Sequence, residues 1–484
     1  MIWEYKEFKK YFDSKFWKAF NKVLPIYYIN TDKEKIVANL YDDIKTKNYY
    51  PSIPKDIFYI NKGNWVIRKT PLFEIKDYLL YFYCIKSIED KVAINKVEWT
   101  YWGWSFSWKM RSMEEIEKLT NITNYIFKES RKKALLILSW LESTWLQFAA
   151  LSSVSMPSSS LNPFWWIKAY GDFNSNILLN LHSWEYTELV EFDIANFYDN
   201  IRLDILENKI KSIVWEEYFE EVSLLFHFLN YWNRSDNFYN KQSVWLPQDV
   251  LSECSRILAN FYLQDYDIYV KKICDEYDVK YLRYADDQII FWNDKNILKE
   301  VMFLCTKKLW EEGLNVNQKK VSFYSVYEFY KYKAFDIFDL MADSKSFYDV
   351  NMIEKISDKV IKIFKTWESK LYVKKWLPLL NRSLKLKFSL LWNTKRNEFK
   401  KLLLNEEYIV WCNSYQLKQI FNSLLKTWKE KNKFLRMLDD IAERCIFNNF
   451  HNNVRIFFFN MGYSTWVVNI NKRMWELNDN LYNK

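Results

Sequence analysis

Residues 281–292 read YLRYADDQIIFW, in which the adjacent Asp286 and Asp287 stand between two apolar runs. Such runs, rich in β-branched and aromatic residues, predict β-strands, and the short polar break between them predicts a hairpin. The runs VKYLRY (279–284) and QIIFW (288–292) would therefore pair, with the two acids at the tip. Aspartate also favours ordinary solvated turns, so the dipeptide alone leaves a plain turn and a functional site as alternatives.

A third carboxylate follows a predicted strand upstream of this hairpin. The segment TELVEFDIANFYDNI (187–201) predicts a strand that ends at Asp193 and runs into a helix. Period-2 alternation places Val190 and Phe192 on one face and Asp193 on the other, although Asp193 would also serve as a helix cap. Three carboxylates at the ends of neighbouring strands repel one another unless cations neutralise them. The pattern predicts a Mg²⁺ site, and two such ions could stabilise the attacking and leaving oxygens of a phosphoryl transfer.

Five segments resemble, in the same order along the chain, the characteristic motifs of reverse transcriptases. They are INKGNWVIRKTP with the following aspartate (60–77), DIANFY (193–198), WLPQDVLSECSRILANFYL (245–263), YADD (284–287) and EEGLNVNQKKV (311–321). The ordered set is far more specific than YADD alone. The resemblance implies an RNA-directed DNA polymerase, which is a nucleotidyltransferase. It also implies an α+β fold with right-hand polymerase fingers and palm, an antiparallel palm sheet and a following all-helical C-terminal domain.

The resemblance implies roles for the three acids and for one lysine. Asp193 and Asp286 would bind two Mg²⁺ ions, or Mn²⁺ in their place, and Asp287 would complete the acid set. Lys320 matches a lysine near the leaving pyrophosphate, where a cation offsets the developing negative charge. The alternative for Lys320 is an ordinary surface lysine.

Four further residues would contact the incoming deoxynucleoside triphosphate. Tyr198, five residues after Asp193, matches an aromatic gate whose ring would collide with a ribose 2′-OH. The alternative for Tyr198 is a core aromatic residue. Gln248 matches a residue beside the nucleotide's sugar, and Lys62 and Arg68 match residues of the fingers that contact the triphosphate.

The chain departs from the family's usual pattern next to Gln248. Asp249 stands where the family usually has glycine. Two extra residues also separate Gln248 from the segment SRILAN (255–260). We therefore expect the loop after Gln248 to differ from that of the family.

The sequence predicts an N-terminal helical segment at 1–50, a fingers and palm region at 51–344 with an insertion at about 91–175, and a helical domain at 345–484. Apolar residues at helical spacing predict the helical domain. They are Ile353, Ile356, Val360, Ile363 and Trp367. The insertion and the helical domain resemble the bacterial abortive-infection and defence-associated reverse transcriptases, in which a helical repeat domain replaces or extends the thumb.

The resemblance implies that the partners are deoxynucleoside triphosphates and an RNA and/or DNA template-primer. Some members of the defence-associated group need no external template, some prime from the protein, and many oligomerise. Binding of a dedicated non-coding RNA and assembly into a homo-oligomer are therefore further alternatives. One alternative function is a non-defence reverse transcriptase related to retrons or mobile introns. Another is a palm scaffold that binds nucleic acid without polymerising, although the three clustered acids argue against it.

Composition narrows the class of protein. The 484 residues carry 70 Lys and Arg against 61 Asp and Glu, a net charge of +9 that is compatible with nucleic-acid binding. The six cysteines have no CxxC spacing and predict reduced core residues. No apolar run reaches the ~20 residues of a membrane span, and the charged N-terminus lacks the apolar core of a signal peptide. We therefore expect a cytoplasmic protein with no membrane partner.

The balance of glycine and tryptophan is unusual. The chain has 5 glycines and 24 tryptophans, whereas globular proteins average about 7% glycine. Trp245 occupies a usual glycine position of the resembled LPQ motif, and Trp292 a frequent small-residue position after the YADD hairpin. One hypothesis is that the gene comes from a bacterial lineage that reads UGA as glycine, and that its UGA codons are translated here as tryptophan. An unusually tryptophan-rich core is the alternative.

Overall fold

A computed structural model of the chain describes residues 4–14, 16–17, 20, 32–53, 56–63, 66–92, 97, 100–101, 165–183, 185–214, 216–236, 245–248, 253–341, 348–366 and 379–482. These residues form two compact units. The first unit holds the described residues among 1–55 and 71–332, and the second holds the hairpin residues 56–70 and the described residues from 333 onward. Most of the predicted insertion at 91–175, with its serine-rich stretch, lies outside the described residues.

A five-stranded sheet forms the centre of the first unit. The described strands of the chain are β1 Asp56–Gly63, β2 Val66–Leu72, β3 Thr100–Tyr101, β4 Glu188–Asp193, β5 Lys280–Tyr284, β6 Asp287–Trp292 and β7 Ser322–Ser325. The sheet has the order β3–β5–β6–β4–β7. The predicted antiparallel sheet is confirmed for β5, β6, β4 and β7. It is wrong at one edge, where the two-residue β3 pairs with β5 in parallel.

Helices cover the central strands. The described helices of this unit are α1 Tyr5–Lys10, α2 Lys33–Lys45, α3 Ile75–Val92, α4 Trp165–His182, α5 Phe197–Asn200, α6 Leu203–Val214, α7 Phe219–Asp236, α8 Glu253–Tyr262, α9 Gln264–Tyr277, α10 Lys295–Glu311 and α11 Val326–Tyr332. Helix α10 packs against β4 and β6, and α4 packs against β5. Consecutive residues such as Leu189 and Val190 are fully buried, as are Ile290 and Phe291. Consecutive burial indicates that both faces of these strands are covered.

All regular elements described from residue 333 onward are helical. They are α12 Phe335–Leu340, α13 Val350–Thr366, α14 Asn393–Leu403, α15 Glu406–Trp411, α16 Ser414–Gln419, α17 Trp428–Arg444, α18 Asn448–Asn460 and α19 Ser464–Tyr482, with a 3₁₀ turn at Phe388–Leu390 and a π turn at Ile420–Leu424. Ile353, Ile356 and Val360 are fully buried, as their helical spacing predicts, and Ile363 is partly buried. Trp367 lies outside the described residues. The apolar stripe of α13 therefore faces the core of this unit.

Two further observations bear on the composition. All six cysteines are buried and none forms a disulfide, as predicted, so they contribute to the cores of the units. No helix among the described residues is both long and apolar enough to cross a membrane.

Candidate active site

The predicted hairpin is present, and its turn carries the two adjacent acids. Tyr284 at the end of β5 pairs with Asp287 at the start of β6, so Ala285 and Asp286 form a two-residue turn. Ala285 has a φ of 52°, in the left-handed region that two-residue hairpin turns use and that usually favours glycine or asparagine. The Ile194 amide donates a hydrogen bond of 3.3 Å to the Asp286 carbonyl oxygen. The turn is therefore tied to the end of the neighbouring strand.

Strand register brings the third acid to the same place. Strand β4 pairs antiparallel with β6, and Asp193 lies directly opposite Asp287. Side chains opposite each other on paired strands are only ~5 Å apart at Cβ. Asp193 is 4% exposed, and no described group donates a hydrogen bond to its Oδ1 atom. The sheet thus places one buried carboxylate oxygen, without a described hydrogen-bond donor, beside the YADD turn.

The segment that carries Lys320 packs along the end of β4. The Ala195 amide donates to the Asn315 carbonyl at 2.7 Å, and the Asn317 amide donates to the Asp193 carbonyl at 2.9 Å. Lys320 then lies in a 3₁₀ turn and donates from Nζ to Asp193 Oδ2. Burial lowers the pKa of the Lys320 ammonium, but the hydrogen bond and charge of Asp193 outweigh it, so the pKa is raised overall. The ammonium thus partly neutralises the acids.

The acids repel one another strongly enough to alter ionisation. Partial loss of solvation and the charge of the adjacent Asp286 raise the pKa of Asp287, although Lys320 opposes the shift. A carboxyl in this environment favours either a proton or an additional cation. The site therefore attracts positive charge beyond that of Lys320.

The donor chemistry fits a hard divalent ion, although the ligand set is incomplete. Among the described residues, no group of three or more acidic, histidine or cysteine side chains is arranged to hold a metal ion. The available donors are nevertheless carboxylate oxygens, which Mg²⁺ prefers, and Mg²⁺ commonly keeps several waters and shares substrate phosphates. Asp193 Oδ1, which accepts no hydrogen bond from a described group, is the strongest single indication of such a ligand.

The structure also places side by side the two segments that carry Tyr198 and Gln248. Tyr198 is half-buried on α5, and its carbonyl accepts a hydrogen bond of 3.0 Å from the Leu246 amide. The half-buried Gln248 follows two residues later in the same LPQ segment. The backbone of the LPQ segment therefore lies directly beside that of α5. The backbones of Lys62 and Arg68 lie in β1 and β2, but their side chains are outside the described part of the chain. Asp249 also lies outside it.

The two tryptophans at resembled small-residue positions have different environments. Trp245 has a φ of 99°, and its ring lies 5.0 Å from that of Trp232, centroid to centroid. This φ suits glycine and strains any residue with a Cβ. Trp292 instead ends β6 as a half-buried residue opposite Glu188, in ordinary strand pairing. The backbone therefore favours glycine at Trp245 and gives no such indication at Trp292.

A buried arginine beside the turn was missed by the sequence reasoning. Arg283 is fully buried on β5 and contacts Asp267, Asn260 and the carbonyl of Ala285. The sequence does show Arg283 as a charged residue inside the predicted strand VKYLRY. A charged side chain within a buried strand requires a partner, and that requirement could have marked it.

The chain is similar to known proteins in sequence and, weakly, in structure. The family model for "Reverse transcriptase (RNA-dependent DNA polymerase)" matches residues 121–388, which include the three acids and Lys320. A solved structure titled "Structure of apo telomerase from Candida Tropicalis" aligns with 91% of this chain and 71% of its own, at 12% identity and a TM-score of 0.29. No curated protein matches the chain.

The family assignment rests on the sequence match, because the structural similarity is weak. Reverse transcriptases bind a nucleic-acid template and deoxynucleoside triphosphates, and they generally use divalent metal ions. The matched segment covers more than half of the chain and contains the whole hairpin with its acids. The chain therefore belongs to the reverse transcriptase family and is an RNA-directed DNA polymerase.

Proposed function

We propose that the protein is an RNA-directed or template-independent DNA polymerase, which adds deoxynucleotides by phosphoryl transfer assisted by two divalent ions. Asp193 and Asp286 would hold the ions, Mg²⁺ or Mn²⁺, and Asp287 would complete the acid set. The observation that carries this proposal is the pairing of Asp193 with Asp287 across β4 and β6, with Asp286 in the adjoining turn. When bound, the ions would supply charge stabilisation for the attacking and leaving oxygens.

Lys320 is proposed to act on the leaving pyrophosphate. Its side chain is 60% exposed, whereas that of its partner Asp193 is only 6% exposed. A long, exposed ammonium can turn from the carboxylate towards an anionic phosphate. Lys320 would therefore balance the acids before substrate binds and the pyrophosphate afterwards.

Tyr198 and Gln248 are proposed to line the sugar of the incoming nucleotide. The hydrogen bond between the Leu246 amide and the Tyr198 carbonyl fixes the two segments side by side. A half-buried ring in this position retains an accessible surface, unlike a core aromatic. Tyr198 could therefore exclude a 2′-OH, while Gln248 contacts the sugar from the neighbouring segment.

Replacing Tyr198 by alanine is expected to relax sugar discrimination. Without the ring, a ribonucleotide would no longer collide at its 2′-OH, so rNTP incorporation should rise relative to dNTP incorporation. Tyr198→Phe is the matched control, because it keeps the ring and should keep the discrimination. The measurement is the ratio of kcat/KM for dNTP and rNTP. An unchanged ratio in Tyr198→Ala would assign selectivity to other residues.

The dependence on template is the first property to measure. Purified protein would be incubated with Mg²⁺ and dNTPs, with an RNA template-primer, with a DNA template-primer, or with neither. Synthesis only with a template indicates a templated polymerase, and synthesis without one indicates the template-independent mode. Absence of incorporation under every condition, with Mg²⁺ or Mn²⁺, would reject the proposed function in favour of a binding scaffold.

The C-terminal unit is proposed to bind the phosphate backbone of nucleic acid. Residues 333–484 carry 27 Lys and Arg against 16 Asp and Glu, whereas residues 1–332 carry 43 against 45. The positive charge of the protein therefore belongs to the C-terminal part. Partial burial and the nearby Arg382 lower the pKa of Lys385, and the Lys387 ammonium lies 5.6 Å from the ring centre of Tyr348. The repulsion between the like charges of Arg382 and Lys385 would be relieved by a bound anion.

Replacing both Lys385 and Lys387 by glutamine is expected to lower the affinity for nucleic acid. It should also make that affinity less dependent on salt concentration. For every phosphate that the variant no longer neutralises, the slope of log K against log salt should fall by about 0.7–0.9. Lys395→Gln is the control, because Lys395 is already paired with Asp358 at 3.0 Å. Fluorescence anisotropy with a labelled oligonucleotide over a salt series gives the slopes. Equal slopes for the double variant and wild type would place the binding surface elsewhere.

A role in anti-phage defence, of the abortive-infection type, is proposed from the resemblance of the insertion and helical domain described above. A bacterial host that expresses the wild-type gene should then restrict phage replication, and a host that expresses an inactive variant should not. Equal phage yields from both hosts, measured over several unrelated phages, would favour a reverse transcriptase without a defence role.

A further inference from the structure

Arg283 is held in the protein interior by three groups. Its Nε and Nη2 atoms donate to the two carboxylate oxygens of Asp267 at 2.7 and 2.5 Å. Its Nη1 atom donates to Asn260 Oδ1 at 2.8 Å and to the Ala285 carbonyl at 2.8 Å. The side chains of Arg283, Asp267 and Asn260 are all 3% exposed or less. Only a guanidinium has enough donors, in a fixed plane, to make these contacts together.

The partners of Arg283 belong to two helices, which gives the arginine a firm support. Asp267 lies on α9 and Asn260 on α8. The Asn260 amide group itself donates to the Arg256 carbonyl at 2.8 Å. Side chains anchored on helices hold their positions more closely than side chains on loops. Arg283 is therefore held in place by α8 and α9, and so is the group that accepts its remaining hydrogen bond.

That remaining hydrogen bond reaches the turn that carries the acids. Ala285 is the first turn residue and has a left-handed φ of 52°, which costs energy for a residue with a Cβ. A hydrogen bond to its carbonyl favours this conformation over alternatives in which the carbonyl points elsewhere. Beyond the turn, Gln288 is buried and accepts from Tyr266 at 2.6 Å and from Tyr281 at 2.9 Å. Both sides of the acid pair are thus anchored to buried groups.

We propose that Arg283 is a positioning residue for catalysis, because its hydrogen bond to Ala285 fixes the direction in which Asp286 and Asp287 point. The inference rests on the proposed function of these acids. Arg283 does not itself reach substrate. Its removal should therefore change the chemical step and the requirement for metal, while dNTP affinity stays nearly unchanged.

The test is Arg283→Lys, which keeps the charge beside Asp267 but lacks the donors for Asn260 and Ala285. Since small misplacements of catalytic groups can cost about 10²-fold, kcat is expected to fall by about tenfold or more, with KM for dNTP within about twofold. The Mg²⁺ concentration for half-maximal rate should rise several-fold. The increase of the melting temperature by Mg²⁺ should shrink. Arg473→Lys, in an ion pair with Asp439 on other helices, is the control for a general effect of this substitution.

A second substitution separates positioning from stability. Ala285→Gly lowers the cost of the left-handed conformation, so it should partly restore kcat in the Arg283→Lys background. A purely structural arginine would show no such rescue. If Arg283→Lys does not fold, Asn260→Ala is the second test, because it removes one of the two acceptors that orient Nη1 towards the Ala285 carbonyl and leaves the pair of Arg283 and Asp267 intact.

The outcomes distinguish this inference from the proposed function. Wild-type kcat and Mg²⁺ requirement in folded Arg283→Lys, or in folded Asn260→Ala, would overturn the positioning role. A reduction of kcat no larger than that of Arg473→Lys would do the same. If the wild-type protein incorporates no nucleotide, the proposed function fails, and the Mg²⁺-induced thermal shift still decides whether Arg283 positions the acids.

Discussion

Replacing Asp286 by asparagine, or Asp193 by asparagine, is expected to abolish nucleotide incorporation while the chain stays folded. Each substitution removes an anionic ligand and hardly changes the size of the side chain. Since metal ions supply most of the charge stabilisation in phosphoryl transfer, the rate should fall by several orders of magnitude. The measurement is the rate of dNTP incorporation at saturating Mg²⁺. Wild-type rates in either variant would contradict the assignment of the acids.

Thermal unfolding supplies an independent measure of the same acids. The charge of Asp286 helps to raise the pKa of Asp287, so removing the Asp286 charge relieves repulsion in the folded state. Asp286→Asn should therefore unfold at or above the wild-type temperature without Mg²⁺, and Mg²⁺ should stabilise both variants less than the wild type. Asp294→Asn is the matched control, because Asp294 caps α10 through the Asn296 amide and asparagine caps equally well. An equal Mg²⁺ shift in all four proteins would mean that the acids hold no metal.

Replacing Trp245 by glycine is expected to raise polymerase activity. The φ of 99° strains tryptophan by about 1–3 kcal/mol, and glycine adopts it freely. Glycine also removes the ring packing against Trp232, worth about 0.5–1.5 kcal/mol beyond burial, which offsets part of this increase in stability. The benefit should therefore appear mainly in the incorporation rate, since the next residue, Leu246, bonds to the backbone of Tyr198.

Trp292→Gly is the control with the opposite expected result. Trp292 lies in regular strand pairing and its ring is 6.5 Å from that of Tyr186, centroid to centroid, so glycine there should lower the melting temperature. The codons supply a test without any protein. UGA at Trp245 supports a lineage that reads UGA as glycine, and UGG there rejects the hypothesis for this site. A Trp245→Gly protein with lower activity than the protein with tryptophan would reject it as well.

The sequence predicted the parts of the site that depend on local pattern. Apolar runs flanking Asp286 and Asp287 identify a hairpin because strand propensity and turn chemistry act within a few residues. The pairing of Asp193 with Asp287 joins residues far apart in the chain, and the strand patterns with the order of the resembled motifs indicated only that the acids lie on neighbouring strands. The partners of Arg283 could not be predicted, because they lie on two helices whose packing is a property of the folded unit. The parallel pairing of β3 was missed for a different reason, because a strand of two residues carries too little sequence pattern to be identified.

The antiparallel pairing of β4 and β6 also determines which changes of chain length the protein can tolerate. Side chains alternate between the two faces of a strand, so deleting one residue within β4 or β6 would turn an acid to the opposite face. Connections between secondary-structure elements, in contrast, accept insertions at little cost in free energy. Length variation among relatives should therefore concentrate between strands, while the number of residues from Glu188 to Asp193 and from Tyr284 to Trp292 stays constant.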